Sequence, residues 1–202
     1  LIETSSSKAK VFVATDGITP LKVDGEIDPH AWNSLVNGMQ YVANIAVSMA
    51  EINPINAVAY KANARAYNRR LKDLNNRAID QLERLTTGQR IVVTSHDAFG
   101  YLATAYGLTF LAPVGIDTDG EPSARDLSKL IDHLKAVSAG ALFTENITSP
   151  SLIEQIARET GIKIGGRLYS DALSTRGGPA TTYEKLIEHN LRVLIKALSS
   201  RS

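Results

Sequence analysis

Apolar positions along the chain change their spacing twice, and the changes predict where the elements lie. A short apolar run from Lys10 to Ala14 predicts a strand, with a turn at Asp16-Gly17. Leu35, Met39, Val42, Ile45, Ala46 and Met49 then recur every three to four residues, which predicts a helix from His30 to Met49. Asp28 before Pro29 reads as the cap of that helix, with proline at its first position. Pro54 opens a second helix. No proline or glycine interrupts it before Leu85, and Leu71, Leu74, Ala78, Leu82 and Leu85 keep the helical spacing. At 1.5 Å per residue it would be about 45 Å long. A rod of that length suits a connector between two lobes better than one face of a small domain.

After Thr86-Thr87-Gly88 strands and helices alternate. Strands are predicted over 90–94, 109–112, 141–144 and 162–168. Helices are predicted over 95–106, 122–137, 149–160 and 182–198. Such alternation implies an α/β fold with a parallel sheet covered on both faces.

Composition narrows the function. Net charge is +1, from 22 basic and 21 acidic residues, so there is no electrostatic footprint for nucleic acid. With no cysteine, thiolate metal sites, disulfides and cysteine nucleophiles are excluded. No apolar run approaches the roughly 18 residues of a membrane span, and no signal peptide is seen. The chain starts at Leu1 without methionine, only a few residues before the first predicted strand, so an earlier portion is expected to precede it.

In a parallel sheet, ligands gather at the carboxyl ends of the strands. His96 follows the 90–94 strand, Asp171 follows the 162–168 strand, and His30 lies in the first turn of its predicted helix. A helix start favours a neutral imidazole and an ionised carboxylate. Two imidazoles and a carboxylate suit zinc, manganese or iron. A single histidine near a helix start more often caps or faces solvent, so it is the three together that carry weight. His133, in a polar helical stretch, and His189, late in the last helix, are not assigned to the site.

The motifs run in a characteristic order. Asp28-Pro29-His30-Ala31-Trp32 comes first, then the long helix, Ser95-His96-Asp97-Ala98-Phe99-Gly100-Tyr101, and Tyr169-Ser170-Asp171-Ala172-Leu173. Phe143-Thr144-Glu145-Asn146 and the loop from Gly115-Ile116 to Glu121-Pro122-Ser123 add to the pattern. Across essentially the whole chain this resembles the zinc- and manganese-binding solute receptors of ABC importers, the ZnuA/TroA type.

The resemblance implies two (β/α) lobes with parallel sheets, joined by one rigid helix, with the metal in the cleft between. Residues 1–52 would be the remainder of an incomplete N-terminal lobe, 53–86 the bridging helix, and 87–202 the C-terminal lobe. His30, His96 and Asp171 would be three of four metal ligands. The first ligand would be a histidine on an earlier segment, where any His-rich loop would also lie. Many manganese and iron receptors of this type have Glu at the third position. His96 there makes a softer set that favours Zn2+ over Mn2+ or Fe2+.

The implied role is capture without chemistry, outside the cytoplasmic membrane. The protein would be a monomer when full length, periplasmic or anchored, and would deliver metal to a membrane ABC permease. Asp97 and Glu145 are candidates to orient the histidines. Glycines after Asp171, in Ser174-Thr175-Arg176-Gly177-Gly178, would allow loop movement, and Trp32 is expected to pack beside the site. Missing neighbours in the N-terminal lobe would leave an exposed sheet edge and apolar surface. The alternatives are a zinc hydrolase, with a water at an open position of the His/His/Asp set, and a purely structural metal module. No general base at short fixed spacing supports the hydrolase.

Overall fold

The computed structural model describes residues 7–117, 122–137 and 139–200. Two short strands, β1 (Lys22–Val23) and β2 (Glu26–Ile27), pair antiparallel. A single 3-10 turn (Ala31–Asn33) precedes α1 (Leu35–Ile52), and another (Pro54–Asn56) precedes α2 (Ala57–Leu82). After a third turn (Thr87–Arg90) come β3 (Ile91–Val93), α3 (Gly100–Tyr106), β4 (Thr109–Leu111) and α4 (Ala124–Ala136). The chain ends with β5 (Ala141–Glu145), α5 (Ser151–Thr160), β6 (Ile164–Leu168) and α6 (Tyr183–Ser199).

The α/β class is as expected: β3 to β6 form one parallel sheet in the order β4-β3-β5-β6. Its pleat divides the core. Val92 and Phe143 point to one face, where α2, α3 and α6 supply Leu71, Leu102 and Leu194. Val93 and Leu142 point to the other, against Ile131 and Leu134 of α4 and Ile153 and Ile156 of α5. The chain passes from β3 outward to β4, then back across to β5. The sheet therefore changes direction between β3 and β5, where a crevice opens at the carboxyl ends.

Four expectations need correction. Residues 10–14 form no strand, and Val11 and Val13 are exposed; an extended run needs a paired neighbour to become a strand, and none is given to it among the described residues. The sheet edge expected there is accordingly not seen. The helix expected from His30 is broken at Ser34, whose extended backbone (φ −98°, ψ 126°) caps α1 instead. Asp28 caps no helix: its Oδ1 accepts from His30 N, and His30 itself precedes the short turn. The helix expected from Ser95 starts at Gly100, because the intervening backbone still bonds sideways. Asp97 N donates to Val114 O and Gly115 O, at 3.2 and 3.1 Å. Of the loop expected from Gly115 to Ser123, residues 118–121 lie outside the described residues.

The long helix is nearly as predicted. Its first half lies along α1, and its second half enters the main core through Leu71, Leu74, Ala78 and Leu82. The apolar surface expected on the N-terminal side is present: Val36, Ile45, Val47 and Ile52 of α1 are exposed. Among the described residues, no helix is long and apolar enough to cross a membrane.

Candidate metal centre

The turn before α1, the loop after β3 and the loop after β6 bring His30, His96 and Asp171 together. One donor atom from each lies within 4.8 Å of the other two. His30 Nε2 is 3.4 Å from Asp171 Oδ1, and His96 Nε2 is 3.1 Å from Asp171 Oδ2. Both imidazoles are buried, whereas the Asp171 side chain is 26% exposed. The rings of His30 and His96 meet edge to face, with centroids 5.5 Å apart. His133 is exposed, and His189 contacts Arg167 O and Arg192 on α6, so neither joins the cluster.

Each imidazole has a carboxylate behind it. Asp28 Oδ1 accepts from His30 Nδ1 at 2.8 Å and from His30 N at 2.9 Å. Glu145 Oε1 accepts from His96 N at 2.9 Å, while its Oε2 lies 2.7 Å from His96 Nδ1. That last approach is close but not aligned as a straight hydrogen bond, so charge carries it. A carboxylate only accepts, so the ring proton belongs on Nδ1 in both histidines. The bare lone pair of each neutral ring then belongs on Nε2, facing Asp171. This donor set fits a transition-metal ion.

Asp28 was read from sequence only as a cap. The signal that it does more was its spacing, two residues before a histidine across a proline. Gly100 explains part of the second motif. A Cβ there would sit 3.0 Å from Asp28 Oδ2, so glycine leaves room for the buried carboxylate. Tyr101 Oη donates to Asp28 O at 3.1 Å and accepts from Leu21 N at 2.9 Å, fixing the strand end that carries Asp28. Asp97, expected to orient a histidine, has no side-chain hydrogen bond or ion pair to His30 or His96 among the described residues. Burial, and then the Asp28 charge, push its carboxyl up.

The expected electrostatics were also different. Helix starts were to keep the imidazoles neutral, but His96 lies four residues before α3 and Asp171 lies in a loop well before α6. Burial alone would lower the His96 pKa. Contacts with Asp171 and Glu145 outweigh it and raise the value to about 9. Burial would raise Asp171, but His96 and the nearby His30 hold it below the ordinary carboxylate range. Without metal, these contacts favour a proton shared between His96 and Asp171.

The Asp171 loop is also less open than its glycines suggested. Ser174 N donates to Ala180 O, and Ala180 N donates to Ser174 Oγ, closing the loop on itself at 2.9 and 3.0 Å.

Known proteins resemble the chain in sequence and fold. Residues 1–197 match the family described as zinc-uptake complex component A, periplasmic. The iron-binding protein YfeA of Yersinia pestis is 36% identical over 191 residues, covering 91% of this chain and 61% of that protein. The manganese-binding lipoprotein MntA of Halalkalibacterium halodurans is 31% identical, covering 98% of this chain and 67% of that protein. The chain thus spans less than two thirds of the length of the Yersinia relative. Among solved structures, a manganese-bound mutant periplasmic metal binding protein from Candidatus Liberibacter asiaticus superposes with a TM-score of 0.87. It is 33% identical, and the match covers 94% of this chain and 72% of that one. The periplasmic zinc binding protein TroA from Treponema pallidum gives a TM-score of 0.85 at 27% identity, covering 92% and 69%. With the family matched along nearly its whole length, the chain belongs to the family of the periplasmic zinc-uptake complex component A.

Proposed function

We propose that this chain holds a divalent transition metal through His30 Nε2, His96 Nε2 and Asp171, as the metal-capturing part of a receptor that serves an ABC importer. The observation that supports this most is the pairing of converging Nε2 atoms with carboxylates on both Nδ1 atoms. Residues 1–52 serve in this reading as part of an N-terminal lobe, 53–86 as the bridge, and 87–202 as the C-terminal lobe.

The relatives' names span iron, manganese and zinc. Nitrogen-rich sites bind zinc more tightly than manganese or iron by intrinsic preference. Zinc is therefore the tightest cargo in this reading, with manganese and iron its competitors. The protein works outside the cytoplasmic membrane as a monomer and passes its ion to a membrane permease. No turnover is part of this role, and the relatives' names as binding proteins support that over hydrolysis.

The test is a chelator-competition titration of the metal-free chain with zinc and manganese, followed by His96→Ala. The expected result is one ion per chain, zinc tighter, with binding lost in His96→Ala. Unchanged zinc binding in that variant overturns the ligand assignment. Hydrolysis of esters, peptides or phosphates by the zinc-loaded chain overturns the transport role.

A further inference from the structure

The three donors sit on three separate segments, and each pair of segments is joined by polar bonds that involve no donor side chain. Trp32, two residues after His30, reaches across to the Asp171 loop: its Nε1 donates to Ser170 O at 2.9 Å. The same residue is fixed from behind, because Tyr183 Oη of α6 donates to Trp32 O at 2.8 Å. Asn33, fully buried, reaches from the His30 turn to the His96 loop, where its Nδ2 donates to Ala98 O at 2.9 Å.

The third join runs through β5. Glu145 holds the His96 backbone, and the next residue, Asn146, holds both sides of Asp171. Asn146 Oδ1 accepts from Ser170 N at 3.2 Å, and its Nδ2 donates to Ala172 O at 3.0 Å. Asn146 N in turn donates to Leu168 O at 3.1 Å, which seats the asparagine on the end of β6. A side chain bonded to the residues before and after Asp171 fixes the direction of that carboxylate without touching it.

We propose that Trp32, Asn33 and Asn146 are positioning residues that, with Glu145 beside Asn146 on the His96 backbone, join the three donor-bearing segments in a closed triangle. His30, His96 and Asp171 are thereby set in place before an ion arrives, and ion release requires one side of the triangle to break. The proposal rests on the metal-capture reading above and adds what governs the speed of release. A donor held in place loses little freedom on binding, so loosening the triangle acts mainly on dissociation.

Cobalt(II) is the probe, because its visible absorption reports the coordination geometry directly. Cobalt-loaded chain is mixed with excess EDTA, and the loss of absorption gives the release rate. Trp32→Phe keeps an aromatic ring, though a smaller one, but removes the N–H, and Asn146→Ala removes both bonds to the Asp171 loop. Each is expected to release cobalt about tenfold faster, with altered visible bands. Ile153→Val, in the core between α5 and the sheet, is the control: it weakens packing without touching the triangle. Its spectrum and release rate are expected to match the wild type. Wild-type spectra and rates in both Trp32→Phe and Asn146→Ala overturn the proposal, as does an equal change in Ile153→Val. If Asn146→Ala does not fold, Trp32→Phe alone decides. A wild-type chain that takes up no cobalt or zinc overturns the metal-capture reading itself, an outcome distinct from unaltered variants of a binding chain.

Discussion

Metal affinity should rise steeply with pH up to about 9, because a proton on His96 occupies the lone pair the ion needs. In the metal-free chain, Glu145 and Asp171 together raise the His96 pKa to about 9. Below that value each pH unit costs about tenfold in apparent affinity, or about 1.4 kcal/mol. Lowering the pH from 9, where half the His96 is already protonated, to 7 should therefore weaken zinc binding about 50-fold through this one group. Close to one proton should leave the protein per ion bound at pH 7. Stability without metal should move the opposite way. The folded value lies above the unfolded value of about 6.5, so the stabilising contribution is complete below that pH. It is lost as the pH climbs through 9. Zinc competition titrations between pH 6.5 and 9.5, calorimetry in buffers of different ionisation enthalpy, and thermal melts of the metal-free chain measure all three. Glu145→Gln should lower both the pH at which affinity levels off and the affinity reached there. Affinity that stays flat from pH 7 to 9, or a His96 NMR titration centred near the ordinary histidine value, would refute the reasoning.

Other perturbations follow from the same contacts. Asp28→Ala leaves a buried His30 Nδ1–H without its acceptor and should weaken zinc binding about 10- to 100-fold in a competition titration. Acid should release the ion as His96 and then Asp171 protonate. Because Asp171 is held below the ordinary range, its contribution to stability is present above about pH 3.9 and is lost only as pH falls through its lower folded value. Gly38→Ala drives a Cβ into the Tyr183 ring and hydroxyl, and should cost about 1–3 kcal/mol in a denaturant melt. Phe143→Ala, at a fully buried central position of β5, should cost about 3–5 kcal/mol by the same assay.

The sequence exposed what depends on local periodicity. The alternation after Thr86 was readable because each strand is a short apolar run and each helix repeats every three to four residues. His30, His96 and Asp171 were readable as donors because each lies beside a recognisable element end. What could not be read depends on partners far along the chain. Glu145 is expected near the histidines and is found there, but that it meets His96, 49 residues away, follows from β5 lying beside β3, an order that no local pattern encodes. The place of Asp28 before Pro29 makes it a plausible cap, which hides its pairing with the His30 ring. The strand expected at 10–14 had the right composition, but pairing decides a strand. The helix expected over the loop around His96 fails because that backbone lies beside the segment after β4, where His96 bridges Val114 and Asp97 N donates to Val114 O and Gly115 O.

The uneven exposure of the three donors gives the site a direction. Both imidazoles are sealed beneath the surface, and Asp171 alone is partly open to water. A hydrated cation would therefore meet the carboxylate first, drawn by its charge while its water shell is intact. The imidazoles would then replace those waters from below. Departure would run in reverse, with water entering first at Asp171. The exchange would thus have a fixed sequence, hard oxygen before soft nitrogen on entry.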